Sequence, residues 1–424
     1  SSQRYLSLKT IENPIKNGKP ATSLKILFSI LRSRDQTLEL NLDWMDMMAT
    51  TSAPLREKMT LFWHNHFATS TPFAWLMQVQ NNMLRKNALG SFRKMLHAVA
   101  KDPAMILYLN NEQNKKDAPN ENFAREVMEL FTLGRGNLYT EKDIKEAARA
   151  FTGWRINKLG QYEFSEEDHD FGEKEFLGRR GNFNGEEILD ILLKEKQTAI
   201  YITKKIYKEF VNEEPDEEVI NKLADDFYNT DYDIRKLMKQ ILTADWFYDE
   251  KNIGCKISSP VELIVRYKKL INFDVKRDDG LIYMQNLLGQ TLFFPPNVAG
   301  WPGGKNWIDS SSLFLRMNIP LRILHDGGFD LRPKPEFEDV SDEETMLKTR
   351  KRAEIQSDWS KLVLAFKNVK QEQLTDTIIS AFVQSPKGNI DKSIVEKYTD
   401  RSSQEKLIMS TCAAVFSLPE FQLI

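Results

Sequence analysis

Residues 119–134 read PNENFAREVMELFTLG, and this stretch points to the fold class. Its apolar side chains recur at the spacing of one face of an α-helix. Asn120 is a suitable N-cap for that helix, and Gly134 or Gly136 is a suitable end. The apolar stripe consists of Phe123, Val127, Leu130 and Phe131.

The same periodicity continues on both sides of this stretch. Residues 54–67 carry one apolar face, and Thr140 with Asp143 predicts a capping box at the start of the next helix. Residues 88–109 indicate another helix, which we expect to break where Asp102 precedes a proline.

A different pattern begins after the helical residues. Residues 154–156 and 162–164 alternate as short strands around a turn that contains Gly160, which predicts a β-hairpin. The remaining residues up to 185 are rich in glycine and charge, which is typical of a loop. The chain is therefore predicted to be mostly α, a large multi-helix body with a small β-hairpin insert near 154–185.

The pattern divides the chain into five segments. Residues 242–247 and 416–421 also end two helices in a similar way, which predicts two helical subdomains with similar corners. The segments are an N-terminal helical part with the signature motifs (1–153), the hairpin and loop insert (154–185), a central helical part (186–329), a linker or flexible loop (330–345) and C-terminal helices (346–424).

Composition excludes several classes of protein. Lys+Arg total 59 and Asp+Glu total 61, so no global field favours nucleic acid, and we expect no nucleic-acid partner. No apolar run approaches the roughly 18 residues of a membrane span, so no transmembrane segment is predicted. Cys255 and Cys412 are too few for a disulfide framework, and they form either two free thiols or one bridge.

Three further strings accompany the opening one. They are FWHNHF (62–67), ARAFTGW (148–154) and PPNVAGWPGG (295–304). Together and in this order, the four strings resemble the bacterial family called domain of unknown function 1800 over most of the chain. The resemblance carries no established activity. It implies a periplasmic, cell-surface or extracellular location.

His64 and His66 are two of only five histidines in the chain. On a regular helix they lie about 200° apart and cannot both face one ion, whereas an extended segment allows it. Either one ring is packed and the other is a polar surface group, or at least one points into a polar cavity as a base or ligand. The apolar stripe predicts that His66 is buried and that His64 is more exposed or faces a cavity.

A polar stripe lies opposite the apolar one in the opening stretch. Asn122, Arg125, Glu126 and Glu129 share one helical face, where Arg125 can pair with Glu129 across one turn. Such a stripe is either solvated or part of a site. The resemblance favours a site, because the string that carries these polar letters is the most recognisable one of the family.

Two neighbouring groups extend this candidate site. Arg149 and Trp154 either close the same pocket or serve the fold, with Arg149 in a buried ion pair. His169 beside Asp170 on a loop supplies either an oriented base and metal ligands or an ordinary turn. The candidate catalytic residues are His64, His66, Glu126, Glu129, Arg149, His169 and Asp170.

The GWPGG turn provides a separate candidate for ligand binding. Trp301 and Trp307, with Arg316 nearby and Trp154 from the earlier string, can stack on a sugar ring or fill a core. We expect Trp301 to be anchored, because Gly300 and Pro302 specify its turn.

Two hypotheses for function follow. The first is a hydrolase-like envelope enzyme that uses acid/base or metal-assisted chemistry, with His64, His66 and Glu126 as ligands of a divalent metal such as zinc. The second is a non-catalytic envelope protein that binds a glycan or a protein partner, with the same polar residues as a structural network. The sequence carries no Walker loop, zinc-protease helix or nucleophile elbow that identifies a reaction.

Overall fold

α-Helices make up most of this protein. The structure, a computed structural model, describes residues 7–12, 30–275, 280–325, 355–384 and 390–424. Within those ranges lie 18 α-helices and three two-stranded antiparallel sheets. The predicted mostly α fold with small hairpins is confirmed. The predicted linker at 330–345 lies outside the described residues.

The chain forms two compact units, each assembled from separate parts of the sequence. Unit 1 comprises Ser1–Trp44, Thr51–Phe247 and Phe293–Trp301, and unit 2 comprises Met45–Thr50, Tyr248–Leu292 and Pro302–Ile424, in each case for the described residues. The five-segment division proposed from the sequence stays a prediction.

Most helices of unit 1 are joined by short connections, but residues 151–184 separate the helix that ends at Ala150 from the one that begins at Gly185. The helices are α1 (Ser33–Thr50, whose last turns belong to unit 2), α2 (Pro54–His66), α3 (Ala74–Asn87), α4 (Phe92–Ala100), α5 (Pro103–Tyr108), α6 (Asn122–Glu126), α7 (Glu141–Ala150), α8 (Gly185–Lys194), α9 (Lys196–Phe210), α10 (Glu217–Asn229) and α11 (Ile234–Leu242). The apolar faces of α2 to α11 meet in one core rich in aromatic rings.

Local capping signals placed several helix ends correctly. Asp102 caps α5 by accepting a hydrogen bond from the Met105 amide at 3.1 Å, which confirms the expected break. Thr140 and Asp143 form the predicted capping box of α7. Asn120 does not cap α6, because its side chain accepts from the Asn122 amide and makes a turn before the helix begins.

The opening stretch departs from a regular helix. After α6 the backbone widens into a π-helix at Val127–Thr132, and the Leu133 amide donates to the Met128 carbonyl, five residues back, at 2.9 Å. Gly134 ends the helical stretch in the left-handed region at φ 86°. π-Turns within helices are rare and occur frequently at functional sites.

Two hairpins follow α7. Strand β1 (Trp154–Ile156) pairs with β2 (Tyr162–Phe164), as predicted. Strand β3 (Lys174–Phe176) pairs with β4 (Arg179–Gly181), where the sequence was interpreted as loop. The second hairpin was not predicted, because its strands carry the charged residues and glycine that are typical of a loop. Its turn also places Leu177, an unusual residue for positive φ, in the left-handed region.

Unit 2 is built around its last helix. α18 (Gln404–Phe416) packs against α14 (Ser310–Leu324), α15 (Ser360–Phe366), α16 (Gln371–Phe382) and α17 (Lys392–Lys397). The remaining elements are α12 (Pro260–Ile271), α13 (Gly280–Leu288) and the strand pair β5 (Asp274–Val275) and β6 (Ile355–Gln356).

The two predicted corners are similar in the structure. A short 3₁₀ turn, Asp245–Tyr248, follows α11, and another, Pro419–Gln422, follows α18.

Neither Cys255 nor Cys412 is in a disulfide; Cys412 is buried and Cys255 is half-buried. In the part of the chain that the structure describes, we find no helix with the length and apolar character needed to traverse a bilayer.

Candidate functional site

The FWHNHF string holds both ends of a distant segment of unit 1. The His64 ring nitrogen Nε2 accepts a hydrogen bond from the Phe293 amide at 3.2 Å. Asn65 accepts from the Trp301 amide at 2.8 Å through Oδ1, and its Nδ2 donates to the Trp301 carbonyl at 3.4 Å. Two consecutive residues of α2 therefore fix the segment Phe293–Trp301, and Trp301 is anchored by its backbone as well as by burial.

His64 is buried among aromatic rings. Its ring centroid lies 5.2 Å from that of Trp44, 5.0 Å from Phe293 and 5.6 Å from Trp301. Burial, reinforced by the charge of Arg85, lowers the pKa of His64 to about 3. The expectation that His64 is more exposed than His66 is wrong, because the Phe293–Trp301 segment covers the side of α2 that the helical pattern left polar.

His66 supports the π-helix. It is buried as predicted, and its Nε2 lies 3.3 Å from the Phe131 carbonyl, to which it donates when the proton is on that nitrogen. Tyr201 donates to the neighbouring Leu130 carbonyl at 3.2 Å. Burial, with a contribution from the Lys205 charge, holds the pKa of His66 well below its ordinary value. The ring is thus a neutral partner for a backbone group.

The expected metal site of His64, His66 and Glu126 is not formed. The Nε2 atoms of the two histidines already bond to different backbone groups, as their separation of about 200° around a helix requires. Among the described residues, no three His, Cys, Asp or Glu side chains form a group that could hold a metal ion. These residues do not fit a zinc centre.

Residues of the ARAFTGW string form hydrogen bonds and an ion pair with the loop that carries His169. Arg149 Nε donates to Asp170 Oδ2 at 2.7 Å, and its Nη1 donates to Glu146 at 2.9 Å. The His169 ring nitrogen Nδ1 lies 2.8 Å from the Thr152 carbonyl. Burial is the main cause that lowers the pKa of His169. Arg149 therefore forms an ion pair, and His169 and Asp170 lie in a turn, which are the structural alternatives to a catalytic role for these residues.

The four candidate ligand-binding residues lie inside their units. Trp154, Trp301 and Trp307 are all buried, so they fill cores and do not present an exposed stacking surface. Arg316 is also fully buried and donates to the Ser258 carbonyl at 2.9 Å, while burial lowers its pKa to about 10.

The polar stripe of the opening stretch is an ionic network. Arg125 binds both oxygens of Glu141 at 2.9 and 2.8 Å, and it also approaches Glu121 and Glu129 at 3.2 and 3.5 Å. Arg135 approaches the other oxygen of Glu129 at 3.3 Å. Most charges on this face are therefore matched by nearby opposite charges.

Glu126 is the exception within the stripe. Its Oε2 atom is buried and has no hydrogen-bond partner. Burial and the nearby charge of Glu129 raise the pKa of Glu126, against the opposing charges of Arg135 and Arg125. Burial, followed by the charge of Glu126, raises the pKa of the Tyr108 hydroxyl. Glu126 is thus a half-buried carboxyl whose inner oxygen is not committed to the fold.

The three sequence-predicted groups keep separate partners. Among the described residues, no direct hydrogen bond or ion pair joins the histidine pair of α2, the Glu126 face and the His169 loop. The two hydrogen bonds between the Asn65 side chain and the Trp301 backbone form a clamp on the segment Phe293–Trp301. This clamp was not predicted, because the two residues are 236 positions apart in the chain. The signal available in the sequence was the polar residue Asn65 between two histidines, together with the Gly300–Trp301 pair of another string.

Residues 9–423 match the family described as Protein of unknown function (DUF1800). The chain belongs to this family. No curated protein and no solved structure matches the chain. In this DUF1800 member, residues of the FWHNHF string bond to two other strings. Asn65 bonds to Trp301 of PPNVAGWPGG and His66 to Phe131 of the opening stretch, while His64 bonds to Phe293, which lies just before PPNVAGWPGG.

Gly300 offers a test of the clamp. It adopts φ 79°, and a Cβ atom there would lie 2.1 Å from Asn65 Oδ1. Gly136 has a similar φ of 73° with nothing within 4 Å. Urea unfolding should show that Gly136→Ala costs about 1–2 kcal/mol and that Gly300→Ala costs about 2 kcal/mol more, because it also breaks buried hydrogen bonds. Equal losses would contradict the clamp.

The pKa of His64 predicts a pH effect on stability. Between pH 6.5 and about 3, the unfolded chain protonates this imidazole and the folded chain does not. The contribution of His64 is therefore complete above pH 6.5 and falls as pH is lowered, by about 1.4 kcal/mol per pH unit. Asp102, whose pKa burial raises to about 7, acts in the opposite direction, so the profile of the native protein alone does not isolate the histidine.

The comparison with His64→Gln removes that complication. The variant should be less stable at pH 7.5, and the difference from the native protein should shrink as pH falls from 6.5 to 4.5. Urea unfolding at several pH values measures this difference. A difference that stays constant with pH would show that His64 is not a neutral buried group.

Proposed function

We propose that this protein is an acid/base, hydrolase-like enzyme of the cell envelope in which Glu126 transfers the proton. The observation that carries the proposal is the buried, unpartnered Oε2 of Glu126. A carboxyl group whose pKa is raised by burial keeps its proton closer to neutral pH, which suits a general acid.

Glu129 is the natural partner of Glu126 in this chemistry. It follows three residues later on the same helical stretch, and its carboxylate pairs with Arg125 and Arg135. In the proposed reaction, Glu126 protonates the leaving group while Glu129 orients the attacking water or stabilises developing positive charge. The bond to the leaving group breaks as that group takes the Glu126 proton, the oxygen of water forms the new bond, and the proton released from water returns to Glu126.

The environment of the pair also supports this division of roles. Burial favours the protonated form of a carboxyl group, which suits the proton donor. Here the inner oxygen of Glu126 is buried without a partner, whereas each oxygen of Glu129 approaches a guanidinium. Glu129 lies in the π-helix that begins directly after Glu126, and the π-helical geometry sets their relative placement.

The envelope location rests on the resemblance to bacterial relatives alone. An enzyme there would act on an envelope polymer or a secreted molecule, and the linkage it hydrolyses is a glycoside, an ester or an amide. In this proposal the side chains of Glu126 and Glu129 supply the chemistry of the site.

A second candidate function is a non-catalytic envelope protein that binds a glycan or a protein partner. It is favoured by the uses of His64, His66, His169 and Arg149, each of which bonds to a backbone group or to an ion-pair partner within unit 1. In that case the signature residues maintain the fold and the ligand binds elsewhere.

Glu126→Gln tests the enzyme proposal, because the amide keeps the shape of the carboxyl but cannot donate an acidic proton. Hydrolysis of chromogenic glycosides, esters and amides by the native protein should fall at least about 100-fold in this variant. Glu121→Gln, which changes another acidic residue of the same ionic network, should retain activity and serves as the matched control.

Two outcomes would favour the second function instead. One is a native protein that is inert toward all three substrate classes. The other is a Glu126→Gln variant that hydrolyses as well as Glu121→Gln while its free energy of unfolding changes. Unfolding curves for both variants separate a catalytic loss from a loss of fold.

A further inference from the structure

A surface cleft lies between α10 and the end of α11, within unit 1. Its volume is about 470 Å³, which falls in the range of small-molecule sites. The residues that line it include Glu218, Lys222 and Asp226 of α10 and Gln240 of α11. Neither the opening stretch nor the histidine pair contributes to this cleft.

The polar wall of the cleft is a regular row. Glu218, Lys222 and Asp226 follow one another at four-residue spacing, so they share one face of α10. Gln240 Nε2 donates to Asp226 Oδ2 at 2.9 Å, which links α11 to the end of this row. The wall therefore offers acceptors, donors and an amide that supplies both, which is the pattern that vicinal hydroxyl groups require.

The end of the cleft is aromatic. Trp246 lies on the 3₁₀ turn that follows α11 and lines the cleft while half-buried. Its indole stacks with the ring of Tyr207, with centroids 6.2 Å apart, so the core positions it. A positioned indole contributes a large contact area with little loss of side-chain freedom on binding.

We propose that this cleft binds a neutral sugar ring, with the apolar face of the sugar against Trp246 and its hydroxyl groups on the polar row. The charges disfavour anionic ligands, because the two carboxylates of Glu218 and Asp226 outnumber the one ammonium of Lys222. The site is independent of the reaction proposed for Glu126. It holds a glycan whether or not the protein cleaves one.

Calorimetric titration of the full chain with methyl glucoside and N-acetylglucosamine tests the site, with glucuronate and glycerol as comparisons. We expect millimolar binding of the two neutral rings and at least tenfold weaker binding of glucuronate and glycerol. Trp246→Ala should weaken binding at least tenfold, whereas Trp246→Phe should keep most of it. Tyr248→Ala is the matched control, because that exposed aromatic lies on the same 3₁₀ turn but does not line the cleft.

Two results would overturn the proposal. One is that neither neutral sugar binds the native protein at about 10 mM, where a millimolar site is mostly filled. The other is that Trp246→Ala binds as the native protein does. If Trp246→Ala fails to fold, Asp226→Asn at a half-buried position and Gln240→Ala at an exposed position decide the question through the same titration. Glu126→Gln should bind sugar normally, so failure of the cleft and failure of the catalytic proposal are distinguishable.

Discussion

Unit 1 depends on hydrogen bonds from three consecutive side chains of α2 to the backbone of two distant segments. His64 and Asn65 hold the ends of Phe293–Trp301, and His66 bonds to a carbonyl of the π-helix. Successive residues of a helix point about 100° apart, so one short string can reach several neighbours. Each buried polar group left without its partner would cost about 1–3 kcal/mol.

The elements with local causes could be predicted from the sequence. The β1–β2 hairpin, the break at Asp102 and the capping box of α7 all follow from residues within a few positions of one another. The π-helix could not be predicted, because its carbonyls are satisfied by side chains of α2 and α9 that are far away in the chain. Tertiary hydrogen bonds, rather than local preference, determine its geometry.

The candidate site was predictable in residue type but not in role. A buried imidazole that bonds to a backbone group through one ring nitrogen can serve the fold or act as a base or ligand through the other, so residue type alone does not assign the role of His64 or His66. The partner of His64 is 229 residues away. Glu126 remains a candidate catalytic residue, because its buried oxygen Oε2 has no hydrogen-bond partner. The cleft at Trp246 was not predicted as a site, because its polar row resembles an ordinary solvated helix face.

The most direct test of the account is hydrogen exchange at the Trp301 amide, which donates to Asn65. Selective ¹⁵N-tryptophan labelling, with Trp301→Phe to assign the signal, follows this single group. We predict that the amide exchanges slowly in the native protein, through opening of unit 1, and that Asn65→Ala accelerates it strongly while leaving slow the amide of Trp44, which lies inside α1. Exchange of the Trp301 amide at the rate of an unprotected amide in the native protein would contradict the account.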